Sequence, residues 1–424
     1  MNERIKVLVL GNECFSNSNS NGRTLKNFFL GWPKSDIAQF YIHEANPDNE
    51  VCENYFQVSD QQALYAFLNK NYSPKASDTT DKLPNARTPK GRNALTMLAR
   101  TIIWDSGKWK KSGFNNWIDS FSPNVIVVQA GDSPFIFKLA RLISTKKSIP
   151  IVIYNSENFY FKDYDYFRSD GVAHLMYPLF KVIFRRQLRL LIRKAYMSIY
   201  ICEKLEEDYK IAFNKPSRTI YTATEMSELR NVDHEGFVVS YLGNMGVGRH
   251  RPLIEIGETL QMISKDYHLD VYGSVPSKEI EEQLKACNGI RLKGFVSYEK
   301  VIEVMEKSDV LVHAEDFEPF YRKGLKRAFS TKIADTLASG KCFLLYAPEE
   351  VACADYLKNN QAAYVVNDRS RLYDVLAELS SNNATRERYK ENALRVVKEN
   401  HNAKKNAELF QEIIRDAVRL YRSK

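Results

Sequence analysis

The chain has 424 residues, with 61 Lys and Arg against 52 Asp and Glu, for a formal net charge of +9. Its 44% hydrophobic and 27% charged residues exclude a disordered chain, a collagen-like repeat and a small disulfide scaffold. The length suits two domains, and the modest basic excess suits an anionic partner: a phosphorylated small molecule, a lipid surface or nucleic acid.

Short runs rich in Val, Ile and Tyr recur through the first half, at Ile5–Leu10, Ile37–Ile42, Val125–Val128, Ile149–Tyr154, Ser198–Ile201 and Arg218–Tyr221. Runs of this kind read as strands buried on both faces of a parallel sheet. Residues 72–92 hold three Pro among Ser, Thr, Asp and Lys and read as an exposed loop. A second series follows at Phe237–Leu242, Leu269–Tyr272, Ile290–Leu292, Val310–His313, Cys342–Tyr346 and Ala363–Val366. Helical patterns lie between these runs, at Leu253–Ile263, Lys278–Ala286, Tyr298–Lys307 and Ile333–Ser339. Strand and helix alternating twice over predict an α/β protein of two facing, doubly wound Rossmann-like domains, residues 1–230 and 231–400. The polar stretch Met226–Gly236 marks the boundary. Asn402–Arg422 reads as a closing amphipathic helix, with Leu409, Ile413, Ile414, Ala417 and Leu420 on one side.

No apolar run approaches the ~18 residues of a membrane span, and Ile5–Leu10 is too short for a signal-peptide core. The six cysteines form no C-x-x-C pair and read as buried reduced thiols of a cytoplasmic protein. Asn71-Tyr72-Ser73 and Asn383-Ala384-Thr385 match the glycosylation acceptor pattern, which carries no meaning in that compartment.

Ligands of open α/β sheets bind beyond the carboxyl ends of the strands, so the loops there are the candidates for chemistry. After the first strand, Gly11–Thr24 is rich in Asn and Ser and leads into a helix starting near Asn21. Backbone amides at that point suit an anion or a sugar hydroxyl, or serve as an ordinary helix cap. Neither the dinucleotide fingerprint nor the Walker A pattern is present. The first strand of the second half opens into Gly243-Asn244-Met245-Gly246-Val247-Gly248-Arg249-His250-Arg251. Glycines permit close approach of a ligand to the backbone, and two guanidinium groups suit bidentate phosphate contacts. The third stretch, His313–Gly340, places Ser330 or Thr331 as the cap of a helix, with Lys332 and Asp335 on one face of it. That pair serves either a shared ligand, with Lys332 on phosphate and Asp335 on hydroxyls, or a surface ion pair.

Taken in order, Tyr241-Leu242-Gly243-Asn244 with a following Arg, Val271-Tyr272-Gly273, Leu292–Val296, Ser308–His313 and Ser330–Lys341 resemble the donor-binding half of GT-B glycosyltransferases. The resemblance spans Val239–Asn359 and is to the retaining family 4 type, most like bacterial polysaccharide enzymes. It implies a GT-B fold whose C-terminal segment, 401–424, returns to the N-terminal domain. It implies a nucleoside-diphosphate sugar as donor, bound by Gly243, Asn244, Arg249, Arg251, Gly273, Phe295, Ser330, Thr331, Lys332 and Asp335. Arg249, Arg251 and Lys332 would face the diphosphate, and Asp335, where the family usually has Glu, would face the ribose. One departure stands out: the family's donor-sugar Glu, eight residues before the ribose acid, is Arg327 here, with Glu315, Asp316 or Glu318 as substitutes.

Fixed positive charge aimed at a leaving diphosphate acts where charge develops in the transition state. The resemblance implies hexosyl transfer with retention, with Arg249 and Lys332 as the catalytic cations and with no metal and no cofactor. Asp163-Tyr164-Asp165 matches the metal-holding D-x-D triplet of the other glycosyltransferase fold, but its context differs. The loop Asn155–Lys162 suits a carbohydrate acceptor, with Asn21, Gly22, Asn155, Glu157 and Asn158 as contacts. Glu157 is the candidate base if one is needed. His174–Lys194 interleaves Met176, Leu179, Phe180, Val182 and Phe184 with Lys181, Arg185, Arg186, Arg189 and Arg193. It reads as a basic amphipathic helix on the cytoplasmic membrane surface, serving a glycan or lipid-linked acceptor, or as a core helix with a solvated basic face. No nucleic-acid module is recognisable. A sugar-nucleotide epimerase and a non-catalytic sugar-nucleotide-binding protein are the alternatives.

Overall fold

The computed structural model describes residues 4–17, 20–70 and 92–423. Ser18, Asn19, residues 72–91 of the loop read at 72–92 and the triplet at Asn71 lie outside the described residues. The chain divides into two compact units, Met1–Tyr221 with Ala403–Lys424, and Thr222–Asn402.

The first unit is built on seven parallel strands: β1 Val7–Leu10, β2 Ile37–Tyr41, β3 Asn54–Gln57, β4 Val125–Ala130, β5 Ile151–Asn155, β6 Met197–Tyr200 and β7 Ser217–Thr219. Their order is β3-β2-β1-β4-β5-β6-β7. The central strands β1, β2, β4 and β5 are buried along their whole length, as expected of apolar runs covered by helices on both faces. β3 is absent from the sequence reading. Asn54-Tyr55-Phe56-Gln57 lacks an apolar run and forms an edge strand only because Ala38–Tyr41 offers a free ladder.

The helix Ala403–Arg422 packs into this unit. Phe410 stacks on Phe28, with ring centroids 4.7 Å apart, and Phe28 in turn meets Tyr154 edge-on at 4.9 Å. Ile414 and Ala417 are fully buried in the same core. Burying one such aromatic stabilises by about 2–3 kcal/mol, which explains why the last helix joins the first sheet.

The second unit has six parallel strands: β8 Val239–Leu242, β9 Leu269–Tyr272, β10 Ile290–Gly294, β11 Val310–Ala314, β12 Cys342–Tyr346 and β13 Tyr364–Val366. Their order is β10-β9-β8-β11-β12-β13. In both sheets the order reverses once, between β1 and β4 and between β8 and β11. Such switch points open a crevice at the carboxyl ends of the strands.

The second unit begins at Thr222, ahead of the polar stretch read as the boundary. Thr224 pairs with Asn402, its amide donates to the His401 carbonyl at 2.9 Å, and His401 Nδ1 lies 2.7 Å from the Thr222 carbonyl. These backbone partners draw 222–224 into the second unit. A composition shift carries no record of such pairing.

Candidate active site

The loops after β8, β9 and β10 are hydrogen-bonded in series. The Gly243 amide donates to the Tyr272 carbonyl at 2.9 Å, and the Gly273 amide donates to the Gly294 carbonyl at 2.8 Å. Gly273 holds φ at +137°, and a Cβ there would overlap the Gly243 carbonyl, so both the conformation and the close approach require glycine. Below the loop lies Tyr241, fully buried, whose hydroxyl donates to the Asn244 carbonyl at 2.8 Å. A Cβ on Gly243 would sit 2.6 Å from that hydroxyl and 3.1 Å from Lys332 Nζ. The bare backbone of Gly243 therefore borders Lys332 directly. Asn244 Oδ1 accepts from the Gly246 amide at 2.6 Å and shapes the turn.

Arg249 immediately precedes the helix His250–Ile263. Its guanidinium grips Glu315 with two bonds, Nε to Oε2 at 2.9 Å and an Nη2 to Oε1 at 2.7 Å. His313 Nε2 donates to the same Oε1 at 2.9 Å. Glu315 is 3% exposed, and burial alone would raise its pKa. Arg249 and His313 outweigh burial and hold it down at about 2. The same carboxylate raises the pKa of Arg249 against its own desolvation. Burial lowers the pKa of His313, and Glu315 opposes that.

Next along the loops, Arg251 lies 3.0 Å from Asp316 and stacks its guanidinium over Tyr321 at 5.5 Å. Asp316 also accepts from the Glu318 amide at 3.0 Å, while burial raises its pKa. Glu315 and Asp316, considered as substitutes for the donor-sugar Glu, are thus engaged with Arg249 and Arg251, because they are the nearest carboxylates to two partly buried guanidiniums. Glu318 precedes the helix Pro319–Leu325 without a side-chain cap bond. Arg327 is half-buried in the segment that follows.

Lys332 opens the helix Lys332–Ala338 and is exposed. The capping role read for Ser330 or Thr331 is not what the structure shows. Thr331 is itself helical (φ −63°, ψ −19°), makes no side-chain cap bond, and the Ile333 amide turns back to the Ser330 carbonyl at 3.2 Å. A capping side chain needs extended backbone at its own residue, which this turn lacks. Asp335 is half-buried and accepts from the Thr224 hydroxyl at 2.7 Å. Phe295, after β10, is 78% exposed. Gly243, Arg249, Glu315, His313 and Lys332 are therefore one cluster at the carboxyl ends of β8 and β11.

In the first unit, the loops after β1, β2, β4 and β5 line a cavity of 130 Å³. Asn21 and Glu157, both read as acceptor contacts, belong to its lining. Glu157 is exposed at the rim. The surrounding protein raises its pKa, with Lys162 and Arg92 pulling the other way, and water at the exposed carboxylate screens all three. The other acceptor residues are placed differently. Gly22 is buried in the helix Ser20–Asn27. Asn155 ends β5, fully buried, with Nδ2 lacking a partner. Asn158 Oδ1 accepts from the Phe161 amide at 3.2 Å and stabilises its own turn, so it is committed locally. The loop after β2 supplies Glu13's partner His43, and the end of β4 with its following loop supplies Gln129 and Asp132, all three of which the sequence reading passed over. The rule that directed attention to the loop after β1 applies equally to these two.

Asp165 of the D-x-D triplet accepts from the Phe167 and Ser169 amides at 3.0 and 3.1 Å, a turn-forming role. No group of three or more His, Cys, Asp or Glu side chains is arranged to hold a metal among the described residues. Five of the six cysteines are buried. No helix among the described residues is long and apolar enough to cross a membrane.

Residues 251–412 match a family model described as glycosyl transferase-like. No curated protein matches the chain. Among solved structures, Anabaena Alr3699/HepE in complex with UDP superposes with a TM-score of 0.63 at 10% identity, over 97% of this chain and 99% of that one. Sucrose-phosphate synthase from Thermosynechococcus elongatus gives 0.62 at 12% identity, over 99% and 100%. TarM gives 0.63 at 11% identity, over 97% and 99%. The chain has the GT-B fold. In this GT-B chain His313, Glu315 and Lys332 of the second unit's cluster fall within the residues matched by the family model, Gly243 and Arg249 precede them, and the cavity in the first unit falls outside them.

Proposed function

We propose that the protein transfers a sugar from a uridine diphosphate sugar to a hydroxyl of a glycan or lipid-linked acceptor, in the assembly of a bacterial surface polysaccharide. The observation that carries this reading is the convergence of bare Gly243 backbone, Arg249 and Lys332 in one place beyond β8 and β11. The HepE complexes with UDP and with UDP-glucose support uridine diphosphate as the nucleotide.

Each group has a physical task. As the glycosyl–phosphate bond breaks, negative charge collects on the leaving diphosphate. A lysine ammonium near 4 Å interacts with such a charge by on the order of 4 kcal/mol at a surface-like dielectric. Lys332 supplies that charge at the open edge. Arg249 is partly compensated by Glu315, so its value is a fixed orientation as much as charge: two hydrogen bonds hold its plane before any ligand arrives. Glu315 thus spares the resting cluster an uncompensated buried cation at Arg249. Asp335 and Thr224 offer a hydrogen-bonded pair for ribose hydroxyls. Arg249 and Lys332 are the side chains that bring positive charge to the diphosphate. Departure of the diphosphate on the same face as acceptor approach would give retention.

The membrane part of the reading rests on the helices Gly171–Leu175 and Tyr177–Lys194. Phe180, Phe184, Leu188 and Leu191 face the core. Val172, Leu175, Leu179 and Val182 are 66%, 74%, 47% and 64% exposed. Their spacing of three and four residues makes one apolar stripe, with exposed Arg186, Arg189 and Arg193 farther along. An apolar stripe beside a basic one suits an anionic lipid surface.

The test is turnover of a panel of nucleoside-diphosphate sugars, with water or a lipid-linked oligosaccharide as acceptor. Release of UDP from at least one uridine diphosphate sugar is expected. Binding without turnover of any donor would refute transfer and favour the non-catalytic alternative. The anomeric configuration of the product, read by NMR, tests retention.

A further inference from the structure

The first unit holds a second and larger cavity, of 630 Å³, between the end of β3, the helix Asp60–Phe67 and the 3-10 turn Lys108–Ser112. It shares no lining residue with the cavity of 130 Å³. Small-molecule sites run from about 300 to 1,000 Å³, so the space suits a ligand of that class. Phe56, Ala66 and Trp109 give it an apolar wall. Its charge is of one sign: Lys70, Lys108 and Lys111 line it, and among the described residues no Asp or Glu does. The acids of the two neighbouring helices, Asp60 and Asp105, are taken by Arg100 and Lys138. Residues 71–91, which follow Lys70 in the sequence, hold Lys75, Lys82, Arg87 and Lys90 against Asp78 and Asp81. The adjoining sequence therefore adds to the positive charge and does not offset it.

The side-chain amides lining this cavity are each held at one end. Gln57 Nε2 donates to the His43 carbonyl at 2.8 Å, which leaves Oε1 as an acceptor. Gln62 Oε1 accepts from the Ser59 amide at 2.8 Å in a reciprocal cap, which leaves Nε2 as a donor. Asn69 Oδ1 accepts from Lys108 Nζ at 3.2 Å, which leaves Nδ2 as a donor. Lys108 also donates to the Phe67 carbonyl at 2.9 Å, so its ammonium is fixed with one proton to spare. The ammoniums ask for anionic oxygen. The Gln57 oxygen asks for a donor, which a carboxylate or phosphate oxygen cannot give and a hydroxyl can. A ligand that meets both demands carries negative charge and hydroxyls together.

We propose that this cavity is a binding site for an acidic sugar. Lys70, Lys108 and Lys111 hold its carboxylate or phosphate, Gln57, Gln62 and Asn69 take its hydroxyls, and the C–H face of a ring lies on Phe56. Every sugar hydroxyl both donates and accepts, which suits amides presented in both senses. Amides and an ammonium already fixed by their own bonds lose little freedom when the ligand arrives. Lys70 and Lys111 are exposed and act as mobile charges at the rim, so the attraction is screened by salt. The site binds and does not react, and it holds whether or not the protein turns over a sugar nucleotide.

The experiment uses the full chain and calorimetry at two salt concentrations, with tetragalacturonate, neutral maltotetraose and tetraglutamate as probes. Tetragalacturonate should bind at least roughly tenfold more tightly than either of the others and weaken as salt rises. Lys70→Gln combined with Lys111→Gln should weaken it roughly five- to tenfold and flatten the salt dependence, with the melting temperature unchanged because both positions are exposed. Gln62→Leu should weaken it with the salt dependence kept, since that change removes a hydroxyl partner and no charge. Competition by glucuronate and by glucose 6-phosphate shows which anionic group the lysines prefer. A double lysine variant that binds tetragalacturonate within twofold of wild type overturns the proposal. Equal affinity for tetraglutamate overturns the sugar and assigns the cavity to an acidic peptide. A wild type with no affinity for tetragalacturonate, glucuronate or glucose 6-phosphate overturns the site itself.

Discussion

Glu315→Gln separates a structural carboxylate from a passive one. The wild-type carboxyl is held from its ordinary value of 4.5 down to about 2. A depression of about 2.5 pH units, at about 1.4 kcal/mol each, corresponds to about 3 kcal/mol of folding stability at neutral pH. The sign follows from the depressed pKa. The contribution is complete above about 4.5 and is lost as pH falls through about 2. Gln keeps the shape but cannot carry the charge that compensates Arg249, and breaking a buried pair by removing one partner costs about 3–5 kcal/mol. For a unit of this size, each kcal/mol moves the midpoint by about 2–4 °C. Calorimetry at neutral pH should therefore show the second unit's transition lowered by roughly 6–12 °C. The gap between variant and wild type should narrow in acid. Removing both charges, as Arg249→Met with Glu315→Met, should recover much of the loss. A Glu315→Gln protein melting within about 2 °C of wild type would show that Arg249 needs no partner, and would refute this account of the cluster.

Lys332→Ala should reduce kcat/KM for a turned-over donor by roughly 10²–10³, the typical effect of losing one charge-stabilising donor, while the exposed position leaves the melting temperature nearly unchanged. Unchanged kinetics would remove Lys332 from the donor site. Leu179→Asp combined with Val182→Asp should weaken flotation with phosphatidylglycerol vesicles by tenfold or more, since two half- to two-thirds-exposed apolar side chains lose their insertion energy. Equal flotation of variant and wild type would assign the stripe a role other than lipid contact.

Much of the architecture was legible in the sequence because its signal is local. Leu269–Tyr272, Cys342–Tyr346 and Lys278–Ala286 read to their end residues, since buried parallel strands are apolar throughout and an amphipathic helix repeats every three to four residues. Gly243, Arg249 and Lys332 were legible as well, because a motif records which residue types follow each strand. β3 was not. Its four residues owe their form to a neighbouring ladder, a partner supplied across the sheet. Nor was the division at Tyr221, which depends on Thr224 meeting Asn402 from far along the chain.

The amino-acid sequence by itself therefore determined the two alternating series of strands and helices, the closing helix and the residue types at the strand ends. Tertiary structure alone decided the pairings: Arg249 with Glu315 and His313, Asp335 with Thr224, and Glu13 with His43. Each joins residues from separate loops that only the sheet order brings side by side. Composition records how many charges a chain carries, here an excess of nine positive. Which of them neutralise one another is set by distance, and distance is a property of the fold.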